Sequence, residues 1–358
     1  MATVITGEKE HIEALSLLTL APQGAAGAAT YVAGLDAQQR AQFLELADSH
    51  HVVVRVLQCL RTLTAGKNGL ELWINSNLRG EQERIDCALP WLQRICQELE
   101  RAGCQVVVMK SLDHAPDLGN DLDLYTTAGE DLVGGVFAKL GAQIAPRSWG
   151  DRLAHKWNFA LPGLRESVEV HSQRLGQTGE HVQMARRFVD RRGSLRLAGY
   201  MFPVPAPEER ILVAVLQRMY RHFYFRVCDM ANSAALVESG QIDFQELKRA
   251  ADMGGIWPGV ATYLKIVSDY LRHYRSYGLD LPALVVEEAR FGGEKLSMER
   301  RFLRIPILPQ AAGLYTKQVA RTALRGQVAA TLRLSLLPPL AATAAVAYKV
   351  IGDDKAIW

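Results

Sequence analysis

Residues 121–125 read Asp-Leu-Asp-Leu-Tyr, a strict alternation of polar and apolar side chains. Period two marks a β-strand with one wet face, because successive side chains leave a strand on opposite sides. Asp121 and Asp123 therefore project together. Two parallel carboxylates on one rigid strand repel each other unless a cation lies between them. Just upstream, Cys104-Gln105-Val106-Val107-Val108-Met109 is a short apolar run rich in β-branched residues, the pattern of a buried strand, and Lys110-Ser111 ends it. A polar loop with Pro116, Gly119 and Asn120 joins the two strands.

After them, Glu130–Leu140 has the spacing of a compact helix closed by Gly141. Two further strands are predicted at Lys156–Leu161 and Ser167–Ser172, separated by the turn Pro162-Gly163. On the second, Glu169 shares a face with His171. If that strand lies beside the Asp-x-Asp strand, Asp121, Asp123 and Glu169 form one acidic site.

Helix-period sequence surrounds this β-containing segment. It predicts helices over His11–Leu18, Asp36–Leu63 and Glu81–Ala102, and then over Glu209–Ser239, Phe244–Met253, Pro258–Tyr277, Pro282–Arg290 and Leu314–Arg333. Asp36 followed by Gln39 has the form of a capping box, and Pro207 suits a first helical turn. The fold class expected is α+β, a small mixed sheet flanked by N-terminal and C-terminal helical regions. The divisions fall at 1–103, 104–200, 201–300 and a tail at 301–358.

Charge excludes some classes. Net +3 over 358 residues argues for neither a nucleic-acid coat nor a membrane coat, but the distribution is uneven. From Arg301 to Gly352 there are seven Lys and Arg and no acid, which leaves the rest of the chain at −4. That basic tail admits three readings: contact with anionic lipid, with Leu334–Val350 dipping into the interface, contact with an RNA backbone, or a helix folding back on an acidic body. The uncharged run Leu334–Tyr348 contains Pro338-Pro339 and is shorter than the roughly 20 residues that span a bilayer. Five cysteines with no C-x-x-C pair suggest neither a disulfide framework nor a zinc site, and the N-terminus lacks an export-signal pattern. A cytoplasmic protein is expected, at most peripheral to the inner membrane. P-loop, dinucleotide-binding and G-x-S-x-G signatures are absent.

The acidic trio points to a hard divalent cation. Mg²⁺ prefers one or two carboxylates and completes its shell with water and substrate phosphates. In this reading Asp121 and Asp123 hold Mg²⁺ or Mn²⁺, while Glu169 holds a second ion or deprotonates an acceptor hydroxyl. Ser111 and nearby amides would touch phosphate oxygens, with Lys110 neutralising their charge. His222 and Asp229, seven apart and so on one face of the predicted Glu209–Ser239 helix, would line a substrate cleft with Arg218 and Arg226, and His171 would join them. His155-Lys156-Trp157-Asn158 could contact phosphate or base, although ordinary packing explains it as well. The adjacent pair His50-His51 cannot chelate from one helix and suits a core or surface role.

These residues resemble a known pattern: an apolar strand ending in a small residue, then nine to thirteen residues, then D-h-[D/E]-h. It is that of the DNA polymerase beta-like nucleotidyltransferase superfamily, here Met109-Lys110-Ser111, nine residues, Asp121-Leu122-Asp123-Leu124. The chain more closely resembles an uncharacterised bacterial nucleotidyltransferase family with a helical N-terminal region, a strand ending in Lys-Gly, a D-x-D strand and a later E-L-H strand, here Glu169-Val170-His171. Ser111 stands in place of the glycine, and the loop LDHAPDLGN lacks the Tyr-Pro and Arg common before D-x-D in that family. The resemblance implies a nucleotidyltransferase-type sheet and metal-dependent transfer of a nucleoside monophosphate from an NTP, ATP first among them. The acceptor, a small molecule, protein or RNA, is left open. The alternative is a catalytically idle fold of this type serving as a binding or regulatory module at a membrane surface.

Overall fold

In the computed structural model, residues 7–65, 68–299 and 301–343 are described. Five helices open the chain: α1 Glu8–Leu20, α2 Ala26–Gly34, α3 Ala37–Ser49, α4 Val53–Leu63 and α5 Asn68–Arg101. The Asp36–Gln39 capping box is present at the start of α3, each side chain bonding the other residue's backbone N–H. The helix predicted over Asp36–Leu63 is broken, however. The chain turns a corner at His50–Val52, with His51 at φ 52°, so α3 and α4 are separate. Buried His50 pins the corner: its Nδ1 accepts from the Val227 N–H at 2.9 Å and its Nε2 donates to the Arg301 carbonyl at 2.7 Å.

The central sheet contains β1 Val106–Met109, β2 Asp121–Thr126, β3 Gln143–Ile144, β4 Lys156–Ala160 and β5 Ser167–Ser172, in spatial order β1-β2-β5-β4-β3. Helices α6 Glu130–Lys139 and α7 Trp149–Leu153 lie in its connections. β2 and β5 run parallel and every other pair is antiparallel, so the sheet is small and mixed. Period two decides which core each residue enters. Val106, Val108, Leu122 and Leu124 pack into a core with α5 and α6, whereas Val107, Met109 and Tyr125 pack into a larger core with the N-terminal helices and the later helical region. Both faces of β1 are covered, hence its uninterrupted apolar run.

Beyond the sheet come α8 Gln183–Asp190, the hairpin β6 Gly193–Leu197 and β7 Tyr200–Val204, and α9 Pro207–Gln217, with Pro207 in its first turn. The single helix predicted over Glu209–Ser239 is absent. A π-turn at Arg218–His222 ends in Phe223 at φ 56°, and a short strand, β8 Tyr224–Phe225, precedes α10 Val227–Glu238. The helix gives way because strand pairing takes over the backbone: β8 pairs with β10 Phe302–Arg304, which pairs with β9 Ser297–Glu299. Between them lie α11 Phe244–Met253, α12 Trp257–Arg275 and the short α13 Ala283–Val286, which replaces the longer helix predicted at Pro282–Arg290.

The predicted tail helix is also two helices, α14 Ala312–Leu324 and α15 Val328–Ser335, parted at Gly326 with φ 68°. They fold back on the body. Arg321 reaches Glu288 at 3.3 Å, Arg325 reaches Asp252 at 3.5 Å, and Leu314 and Gln318 are buried. The apolar run that begins at Leu334 lies outside the described residues from 344 onward. No helix among the described residues is long and apolar enough to cross a membrane.

Candidate functional site

The parallel register sets Asp121 opposite Ser167 and Asp123 opposite Glu169. Both aspartates leave the same face of β2, but they meet different surroundings. The Asp121 carboxylate is exposed and accepts a hydrogen bond from the Ser167 hydroxyl at 2.6 Å. Asp123 is buried beside Glu169. The described residues contain one group of ligand atoms all within 4.8 Å of one another, and its members are Asp123, Glu169 and His171. Asp121, expected as the third acid, stands at the rim, and the imidazole two residues beyond Glu169 takes that place.

Buried Asp123 and half-buried Glu169 each have a lysine. Lys110 ends β1 at φ 45°, and its Nζ lies 2.7 Å from Asp123 Oδ1. Lys156, on β4, reaches Glu169 Oε2 at 3.1 Å and Asp151 Oδ1 at 2.9 Å. Glu169 Oε1 takes a hydrogen bond from His171 Nε2 at 2.8 Å, while the buried His171 Nδ1 has no partner. A carboxylate facing Nε2 requires the proton on that nitrogen. His171 thus orients Glu169.

The two acids have opposite proton affinities. Burial pushes Asp123 up to about 7, against the pull of Lys110, and the charges of Glu169 and Asp121 push the same way. Burial also opposes ionisation of Glu169, but the His171 hydrogen bond and the Lys156 charge outweigh it and hold Glu169 well below the usual carboxylate range. Ser111 is buried rather than turned toward ligand. Its hydroxyl accepts from the Asp123 N–H at 2.8 Å and donates to the Asp121 carbonyl at 3.2 Å, clamping the loop to β2.

A cavity of about 340 Å³ opens over this edge, lined by Asp121, Asp123, Glu169 and Lys110 and by the three arginines Arg218, Arg221 and Arg226. His51, His114, His222 and Tyr224 close it. His222 is held neutral first by burial and then by Arg221, Arg218, Lys110 and Arg226, and burial and nearby guanidinium groups lower His51 and His114 too. His114 is oriented from behind: Arg55 donates to Asn232 Oδ1 at 2.8 Å, so the Asn232 amide nitrogen donates to His114 Nδ1 at 2.9 Å. Asp229, expected in the cleft, is not among the residues lining the cavity. Its carboxylate caps α10 by accepting from the Arg226 N–H at 2.6 Å and pairs with Arg218 Nε at 2.7 Å.

No protein-family model matches the chain, and no curated protein does. Among solved structures it is similar to an antigenic nucleotidyltransferase-like protein from Paracoccidioides brasiliensis, at 15% identity and a TM-score of 0.32, over 46% of this chain and 85% of that one. At that score the likeness carries no argument about this chain.

The sequence points to Arg218 and Arg226 but sets them on one helix that the structure interrupts between α9 and α10, and nothing in it singles out Arg221. His51 and His114 carry no local signature, because a corner between helices and a loop bring them together, ring centroids 5.1 Å apart. Lys156, a candidate for phosphate or base contact from the sequence, pairs with the carboxylates of Asp151 and Glu169.

Proposed function

We propose that the protein is a metal-dependent nucleotidyltransferase, moving a nucleoside monophosphate from an NTP to an acceptor hydroxyl. The observation that supports it most is the facing pair Asp123 and Glu169 on adjoining parallel strands, lining a cavity that Arg218, Arg221 and Arg226 also line. The donor set fits a hard cation: two carboxylates side by side, the proton affinity of Asp123 raised first by burial and further by Glu169, with open space for water and phosphate oxygens. Asp123 and Glu169 would hold Mg²⁺ or Mn²⁺, with Asp121 at the rim. When bound, the cation supplies charge neutralisation on the phosphoryl oxygens. Lys110 offers a charged donor to the same oxygens. Glu169, kept ionised by His171 and Lys156, stays anionic for the cation at neutral pH.

The rival reading, an idle fold retained for binding, draws on the two lysines that already neutralise the acids. One experiment separates the readings. The chain is incubated with each α-labelled NTP, Mg²⁺ or Mn²⁺, and small-molecule, protein and RNA acceptors. Transfer is expected, and Asp123→Asn or Glu169→Gln should lower it at least about a hundredfold, within the range of lost acid–base and electrostatic catalysis. Transfer that survives both substitutions together would exclude this site.

A further inference from the structure

The arginine wall is charged beyond what the protein uses. Arg218 is 1% exposed, yet among the described residues Asp229 is its one carboxylate partner and its buried Nη1 has no hydrogen-bond partner. Arg226 has a buried Nε without a partner, and among the described residues neither Arg221 nor Arg226 pairs with a carboxylate. Most other half-buried arginines here are paired, as Arg84 is with Glu166 and Arg187 with Glu209. A buried guanidinium donor left unmade costs about 1–3 kcal/mol or more, so an uncompensated cluster facing a cavity is expected to meet an anion there.

The wall is also built rigidly. Tyr224 stacks on Phe302 with centroids 4.4 Å apart, and Arg218 and Arg226 lie 5.4 and 5.9 Å from the Tyr224 ring. Arg218 and Arg221 come from the π-turn and Arg226 from the start of α10, so the corner at Phe223 turns all three toward the same space. Planar guanidinium groups match phosphate oxygens in pairs.

We propose that Arg218, Arg221 and Arg226 form a phosphate-binding subsite that takes phosphoryl oxygens without a metal ion. Its place in one cavity with Asp123 and Glu169 rests on the nucleotidyltransferase reading for its meaning, but its binding does not. Two sources present the same chemistry: the outer phosphates of an NTP and a phosphate borne by the acceptor.

The test uses the full chain in EDTA and inorganic tripolyphosphate as probe, followed by calorimetry. Binding is expected, and Arg221→Gln and Arg226→Gln should each weaken it about tenfold or more, whereas exposed Arg249→Gln should not. Asp123→Asn, which lowers transfer at least about a hundredfold under the reading above, should bind the probe at least as tightly as the parent because it removes a repelling carboxylate. Absence of binding, binding only with a divalent cation, or equal affinity in Arg221→Gln and Arg226→Gln would overturn the proposal, whatever the transfer assay shows. With Mg²⁺ restored, competition between ATP and tripolyphosphate would assign the subsite to the donor. Simultaneous binding would assign it to a phosphorylated acceptor. Either result sustains the subsite.

Discussion

Replacing Lys156 by methionine would separate a cation site from a merely well-packed acidic edge. Lys156 Nζ lies 2.9 Å from Asp151 and 3.1 Å from Glu169, and the residue is buried. Methionine keeps most of the volume and removes the charge. Breaking a buried pair from one side costs about 3–5 kcal/mol, a large share of an ordinary stability of about 5–15 kcal/mol. The folded Glu169 carboxyl sits well below its ordinary value, partly because of this lysine. Its contribution to stability is therefore present above the unfolded carboxylate pKa near 4.5 and is lost as pH falls through the folded value. The gap between parent and variant should be widest near pH 7.5 and narrow below about 4.5. A divalent cation should narrow it as well. Without the competing ammonium the acids bind the cation more tightly, and each tenfold gain returns about 1.4 kcal/mol at saturating cation. Urea unfolding of both proteins, in EDTA and in Mn²⁺ at both pH values, measures all of this. A gap of 3–5 kcal/mol that neither acid nor Mn²⁺ reduces would show that Lys156 acts through packing alone and would refute the argument.

Other expectations follow from the same structure. Because burial places Asp123 near 7, a proton competes with the cation below that pH. Mn²⁺ affinity followed by calorimetry should fall up to tenfold per unit below about 7 and level off above it, and a flat profile would contradict the assignment. Arg84 bonds Glu166 at 2.5 Å and the Leu118 carbonyl at 2.8 Å, holding the loop before Asp121. Arg84→Met should lose about 3–5 kcal/mol, and the added Glu166→Leu should restore part of it because no buried charge is then stranded, as denaturant unfolding would reveal. His50→Ala leaves the Val227 N–H and the Arg301 carbonyl unpaired and should cost about 1–3 kcal/mol for each group, with His50→Gln milder, and equal thermal midpoints for the three proteins would refute the pinning role.

The sheet was legible where alternation is strict. Asp121–Tyr125 and Ser167–Ser172 announce strands because one face is polar, and the Val106–Met109 run announces one buried on both faces. Register was not legible, since nothing local says that Asp123 rather than Asp121 stands opposite Glu169. Helix breaks were not read from the sequence. The tail reading ran one helix through Gly326, although a glycine there permits the φ of 68° that parts α14 from α15, and the corners at His51 and Phe223 fall inside apolar spacing with no glycine or proline and are imposed by distant partners. Phe223 accepts from the Ile305 N–H at 3.1 Å, and Tyr224 stacks on Phe302. The arginine wall was hidden for the same reason: its direction depends on strands some eighty residues later.

That dependence gives the little ribbon at residues 302–304 an importance its size conceals. A fragment ending before it would keep every acid, both lysines and the five-stranded sheet, yet would lose the brace that turns the guanidinium side of the cleft inward. The two halves of the cleft are thus stitched to a common thread. Grafting or trimming one half without the other should leave a basin with one bank.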